Sequence, residues 1–355
     1  RRPYRELFVV LAFAIGAGVA VKTAQSMALD DNVFARNASL FVLPFLAGYF
    51  AWKRRMTPIS VAALLVPFVA AAVVLNVFPF VENGSTEVIA AIHAPIALWF
   101  VVGVAYVGGQ WRSGRRRMDF IRFTGEWIVY LTLLALGGGV LIGLTLGAFD
   151  ALGTDAEWLV EDWVLPFGAP GAVLVAAWLV EAKQNVVENI APVLTRVFTP
   201  ITTVMLLVLL VAFATNGSVV DVDRNLLILM DLILVVVLGL LLYAISARDP
   251  NLPPDLFDRL QLVLVISALA VDLLMLAAML SRIAEFGFTP NKVAALGLNL
   301  VLLVNLAWSA RLLLAFLRGR RRFGSTERWQ TGYLPVFGLW SAVVVCALPP
   351  IFDFA

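Results

Sequence analysis

Apolar runs of about 20 residues follow one another along almost the whole chain, and a helix of that length crosses a hydrocarbon core of about 30 Å. The first runs from Leu7 to Val21 and continues through Lys22 to Leu29. Of the 355 residues 61% are hydrophobic and 14% charged, where a soluble domain carries roughly 25% charged residues. That apolar excess is too large for one buried core. The expected fold is all-α: a polytopic transmembrane helical bundle, with residues 1–355 as a single membrane-embedded domain.

Pattern and punctuation predict about eleven spans, each bounded to within about 2–4 residues. They fall near 6–28, 34–52, 58–80, 87–109, 120–147, 167–182, 199–215, 225–247, 260–281, 290–317 and 333–352. The connecting segments alternate in charge. One set holds Lys53-Arg54-Arg55, Arg115-Arg116-Arg117, Lys183, Arg196, Arg248, Arg259 and Arg320-Arg321-Arg322; the other holds only Lys22, Arg36, Arg224, Arg282 and Lys292. Basic loops resist translocation, so the alternation puts the N-terminus in the cytoplasm and, for an odd number of spans, the C-terminus outside.

Two connections stand out. Residues 148–166 carry Asp150, Asp155, Glu157, Glu161 and Asp162 with no basic residue, and Trp158 and Trp163 suit a headgroup zone. This reads as an acidic extracytoplasmic loop holding a short surface helix. Residues 183–198 place Val186, Ile190 and Leu194 on one helical face, which predicts an amphipathic helix along the cytoplasmic interface. Thr-Pro pairs at Thr57-Pro58, Thr199-Pro200 and Thr289-Pro290 predict span starts, with threonine as cap and proline at the first helical position. Asp255 is the expected cap of the span after Arg248. Gly137-Gly138-Gly139, Gly143 and Gly147 form small-residue spacing that lets helices approach closely. Packing within the monomer is the first use expected of it, and a homodimer seam along Gly139, Gly143 and Gly147 is the alternative.

Several phrases form a recognisable set: Ser246-Ala-Arg-Asp-Pro250, Leu256-Phe-Asp-Arg-Leu-Gln261, Gly287-Phe-Thr-Pro-Asn291 and Glu327-Arg-Trp-Gln-Thr331. On these the chain resembles a bacterial family of multi-pass inner-membrane proteins carried as a domain of unknown function. The resemblance runs from about the fourth span to the end. It implies a bacterial inner (plasma) membrane location and brings no activity, substrate or catalytic residue.

Ionisable groups inside spans are expensive and normally face protein or water with a role. Asp272 falls near mid-membrane, and Asp231 about 9 Å inside the outer end of its span. His93, Lys22 and Asn299 fall in the same outer half, with Arg282 at its edge. The working reading is a transporter or channel-like protein whose pathway for a small solute, proton or cation uses Asp231, Asp272, His93, Lys22, Asn299 and Arg282. The bland reading pairs the aspartates with Lys22, Arg282 or hydrogen-bond donors to fix helix register. An enzyme alternative resembles polytopic glycosyltransferases with lipid-phosphate donors and uses Asp30-Asp31 beside the first span. A fourth reading is a membrane sensor or partner subunit whose basic loops dock lipid headgroups or protein. The single Cys346 excludes an intrachain disulfide, and the single His93 argues against a histidine-rich metal site. No catalytic residue, metal, cofactor or nucleic-acid partner is expected, because no phosphate loop, metal-ligand spacing or nucleophile motif occurs. Membrane lipids are the expected surroundings.

Overall fold

The computed structural model describes residues 2–27, 29–151, 155–182, 190–216 and 224–355. Among these residues the elements are helices: α1 (Arg2–Ser26), α2 (Asp31–Lys53), α3 (Pro58–Val77), α4 (Ser85–Tyr106) and α5 (Gly114–Ala151). Then come α6 (Glu157–Leu159), a π turn (Val160–Val164) and α7 (Leu165–Ala182). The chain closes with α8 (Ile190–Asn216), α9 (Arg224–Ala247), α10 (Leu256–Phe286), α11 (Pro290–Leu317), α12 (Gly324–Cys346) and the short α13 (Leu348–Ile351). Ten of the helices are long and apolar enough to cross a membrane. The protein is a multi-pass integral membrane protein with an all-α fold.

Ten apolar helices agree with the expected bundle of about eleven spans, and the expected span outside the ten is 333–352. That segment folds as most of α12, but the helix stops at Cys346 and the chain turns before α13. Its first turns carry Thr326, Glu327, Arg328, Gln330 and Thr331, and Pro349-Pro350 follows it. At 23 residues α12 is as long as α2, so it is these polar first turns, not its length, that leave it less apolar than the ten; Pro349-Pro350 lie past its end, in α13.

Contacts gather the chain into two compact units. The first is Arg1–Arg116, Phe123–Val187 and Val345–Ala355; the second is Arg117–Arg122 and Glu188–Val344.

In the first unit α1 packs on α2 and α7, and α2 packs on α3 and α4. Thr57 caps α3 by accepting from the Ser60 N–H at 3.3 Å, with Pro58 at the first helical position. Gly18 admits the Phe167 ring, where a Cβ would stand only 2.3 Å from it. Ala355 lies against the start of α4, its carbonyl accepting from the Thr86 N–H at 2.8 Å. Residues 152–154 lie outside the described set. Past them, the acidic segment is not a separate surface helix: Asp155 accepts from the Glu157 N–H at 2.9 Å, and the chain is helical from Glu157 into α7. Carboxylates in these first turns sit where the helix N-terminus is partly positive.

Along α5 a Cβ added at Gly137, Gly138, Gly139, Gly143 or Gly147 meets nothing within 4 Å. Leu136, Val140, Leu141 and Leu144 on the same stretch are more than half exposed. The row of glycines therefore does not serve close packing among the described residues, contrary to its first expected use.

In the second unit α8 packs on α9 and α10, α9 on α10 and α11, and α10 on α11. Asp255 caps α10 in a reciprocal capping box with Asp258, as expected. Gly287, at φ +74°, ends α10 in a conformation that suits glycine, and Thr289-Pro290 starts α11. Lys292 ties the turn together by donating to the carbonyls of Gly287 (2.9 Å) and Arg282 (3.3 Å). Thr199-Pro200, by contrast, does not start a helix. It lies inside α8, which is already helical from Ile190, and the Thr199 carbonyl accepts from the Thr203 hydroxyl at 2.7 Å. Residues 190–198 of the expected interfacial helix belong to α8, and 183–189 lie outside the described residues.

A buried polar seam joins α11 to α12. Asn305 and Gln330 exchange amide hydrogen bonds of 2.8 and 3.2 Å, and Gln330 also donates to the Ser309 hydroxyl at 2.7 Å. All three residues are fully buried. Each amide satisfies the other, so Asn305→Leu is expected to destabilise by about 1–3 kcal/mol through the stranded Gln330, and Asn305→Leu with Gln330→Leu by less than the two single changes summed. A double-mutant cycle on denaturant unfolding checks this. Gly297 meets Trp340 on the same seam, where a Cβ would fall 1.8 Å from the indole. Gly297→Ala is expected to cost about 1–3 kcal/mol by overpacking, read as a lower denaturation midpoint.

Candidate functional site

Three of the polar residues expected in the membrane come together in the second unit, one from each of α9, α10 and α11. Asn299 is fully buried and donates from Nδ2 to Asp231 Oδ1 at 3.0 Å and to the Ala295 carbonyl at 2.8 Å. With both amide hydrogens engaged, the orientation of Asn299 is set, and its Oδ1 is buried without a partner. Asp272 is fully buried, and neither of its carboxylate oxygens has a hydrogen-bond partner. Asp231 is near enough to act on it electrostatically.

The depths form a short ladder. Asn299 lies nine residues into α11, about 14 Å from the α10–α11 turn at 1.5 Å per residue. Asp272 lies fourteen residues before the end of α10 that enters the same turn, about 21 Å from it. Asp231, bonded to Asn299, shares the shallower level. The site thus presents carboxylate and amide oxygens at two depths. Such a set accepts protons or hard cations, because every free atom named here is an oxygen lone-pair donor.

Of the other expected residues, Lys22 and His93 are engaged in the first unit. Lys22, in the first unit, pairs with Asp162 at 2.9 Å and lies over the Trp163 ring at 5.3 Å. The bland reading's partner for Asp231 is thus a hydrogen-bond donor, Asn299, and Lys22 has its own carboxylate. His93, also in the first unit, donates from Nδ1 to the Ile89 carbonyl of its own helix at 2.8 Å. Arg282 is half-buried on α10, and its carbonyl holds Lys292. Asp30 caps α2 by accepting from the Asn32 N–H at 2.9 Å, and Asp31 is exposed in the first turn. An apolar groove of about 540 Å³ runs between α1, α2 and α7, lined by Phe34, Phe41, Leu165 and Val173, but neither aspartate lines it. Capping accounts for Asp30. Among the described residues no group of three or more His, Cys, Asp or Glu could hold a metal ion.

A second charged cluster went unrecognised in the sequence. In the first unit Glu181 of α7 receives Arg54 at 3.1 and 3.2 Å and Lys53 at 3.3 Å. Lys53 also pairs with Glu6 of α1, which accepts from the Tyr49 hydroxyl at 2.7 Å. Arg54 donates to the Tyr106 carbonyl of α4 at 2.8 Å. Two cations and two carboxylates thus bind four helices together. Lys53 and Arg54 had looked like topology determinants alone, and nothing in a single sequence reveals their distant partners.

Against known proteins, no family model, no curated protein and no solved structure matches the chain.

Proposed function

We propose that the protein is a proton- or cation-coupled transporter whose ion pathway passes Asp231, Asn299 and Asp272. The observation that carries this reading is Asp272, fully buried with both carboxylate oxygens unpartnered. A lone ionised carboxylate in such surroundings costs several kcal/mol, so the group holds a proton or a cation. Loading and unloading that ion is the elementary step of a coupled transporter, and polar groups in membrane-spanning helices mark such pathways. The two-depth arrangement supports a relay, with Asp231 and Asn299 at the shallower station and Asp272 at the deeper one. A bacterial inner membrane is the setting this reading assigns, supported by the family resemblance and the alternation of basic loops.

A hydrophobic carbodiimide tests the site directly, since it enters lipid and reacts with protonated carboxyls. Peptide mass spectrometry should find Asp272 modified, with modification suppressed by raised pH or by monovalent cations. An Asp272 that stays unmodified throughout, or whose modification ignores both pH and cations, contradicts the reading.

A further inference from the structure

A cleft of about 460 Å³ opens in the second unit between α8, the end of α9 and the start of α10, on the helix that also carries Asp272 and about three turns from it. Its lining includes Arg196, Arg248, Asp249, Asp255, Asp258 and Gln261. Arg248 is held through all three of its nitrogens. It grips Asp258 with Nε and NH2 at 2.7 and 2.8 Å, and donates to the carbonyls of Asp249, Leu252 and Pro253. Asp258 is also held by the Asp255 N–H at 2.9 Å. This pair is the cleft's fixed wall.

Gln261 is different. Only 2% of it is exposed, it lines the cleft, and its Oε1 is buried with no hydrogen-bond donor. A buried acceptor left unpaired costs about 1–3 kcal/mol, which a ligand donor would recover. Beside it Asp249 and Asp255 supply negative charge, and the exposed Arg196 supplies a cation at the rim. The lining also carries apolar surface: Leu252 is 57% exposed, and Leu256, between the lining Asp255 and Phe257 in sequence, is 79% exposed. Anion-seeking rim, donor-seeking floor and apolar surface together describe an amphiphile's headgroup.

We infer that this cleft binds a phosphorylated primary amine, the phosphate on Arg196 and the ammonium on Gln261 Oε1 and the neighbouring aspartates. The apolar surface makes a phospholipid with an ethanolamine headgroup the occupant. A choline headgroup carries no N–H and cannot satisfy Gln261, so the site discriminates between two zwitterions of equal charge. The proposal stands independently of the carboxylate ladder.

The test uses the full chain, delipidated in detergent and titrated with phosphatidylethanolamine or phosphatidylcholine of identical acyl chains, with bound lipid counted by native mass spectrometry. The wild type should favour the ethanolamine lipid by about tenfold, the worth of one charge-assisted hydrogen bond. Gln261→Leu should bring the ratio to about one, and it should fold, because replacing an unpartnered buried acceptor by an apolar group is neutral or stabilising. Arg196→Ala, at an exposed position, should weaken both lipids and keep the ratio. Free phosphoethanolamine separates the sources of the same chemistry: displacement of the lipid makes the ligand soluble, and no displacement makes it lipid-borne. Equal binding of the two lipids by the wild type, or an unchanged preference in Gln261→Leu, overturns the proposal.

Discussion

Glu181→Ala is expected to lower the unfolding free energy by about 3–5 kcal/mol, the usual cost of removing one partner from a buried ion cluster. The Glu181 side chain is 2% exposed and faces both Lys53 and Arg54, whose side chains are 18% and 28% exposed. Without it Lys53 keeps Glu6, and Arg54 keeps only the Tyr106 carbonyl and its contact with that ring, at 5.1 Å. One guanidinium would then remain at the junction of α2, α4 and α7 without a carboxylate hydrogen-bonded to it. Glu181→Gln retains the shape and an acceptor, so it should lose less. Denaturant unfolding in detergent checks the order, wild type above Gln above Ala.

Asp272→Asn is expected to behave oppositely. No hydrogen bond is lost, because neither carboxylate oxygen makes one. The change removes a group whose ionised form is costly in this setting, so stability should stay within about 1 kcal/mol of the wild type or rise. Function should fall steeply, because an amide neither takes up nor releases a proton and is a weaker cation ligand than a carboxylate. A carboxylate that only fixed helix register would give the reverse pattern, with stability lost and flux kept. Stability and flux therefore separate the two roles.

How much of this was legible in the chain itself can be argued from particular residues. Span length and apolarity gave the fold class directly, and Thr57, Asp255 and Thr289 marked helix starts because capping is a local matter. Thr199-Pro200 carried the same local signal and failed. A proline that suits a first turn is also tolerated as a kink where neighbouring helices hold the turn. The depth arithmetic put Asp231 and Asn299 in the same half of the membrane, and the Asn299–Asp231 hydrogen bond agrees with it. Depth says nothing about which face of a helix a residue occupies. His93 and Lys22, at the same expected depth, are instead engaged by Ile89 and by Asp162. The Glu6–Lys53–Glu181–Arg54 cluster was invisible for a related reason: its members come from three distant stretches and show no motif. Gln261 had no local signal either, since its character lies in what surrounds it.

The central claim is that Asp272 carries the coupling ion, and flux into liposomes enclosing a pH-sensitive or cation-sensitive dye addresses it most directly. Wild-type protein should respond to an imposed proton or cation gradient, and Asp272→Asn, equally well folded and reconstituted at equal density, should lose that response by tenfold or more on the order of magnitude expected when an essential ionisable group is removed. Equal flux from wild type and Asp272→Asn would contradict the account.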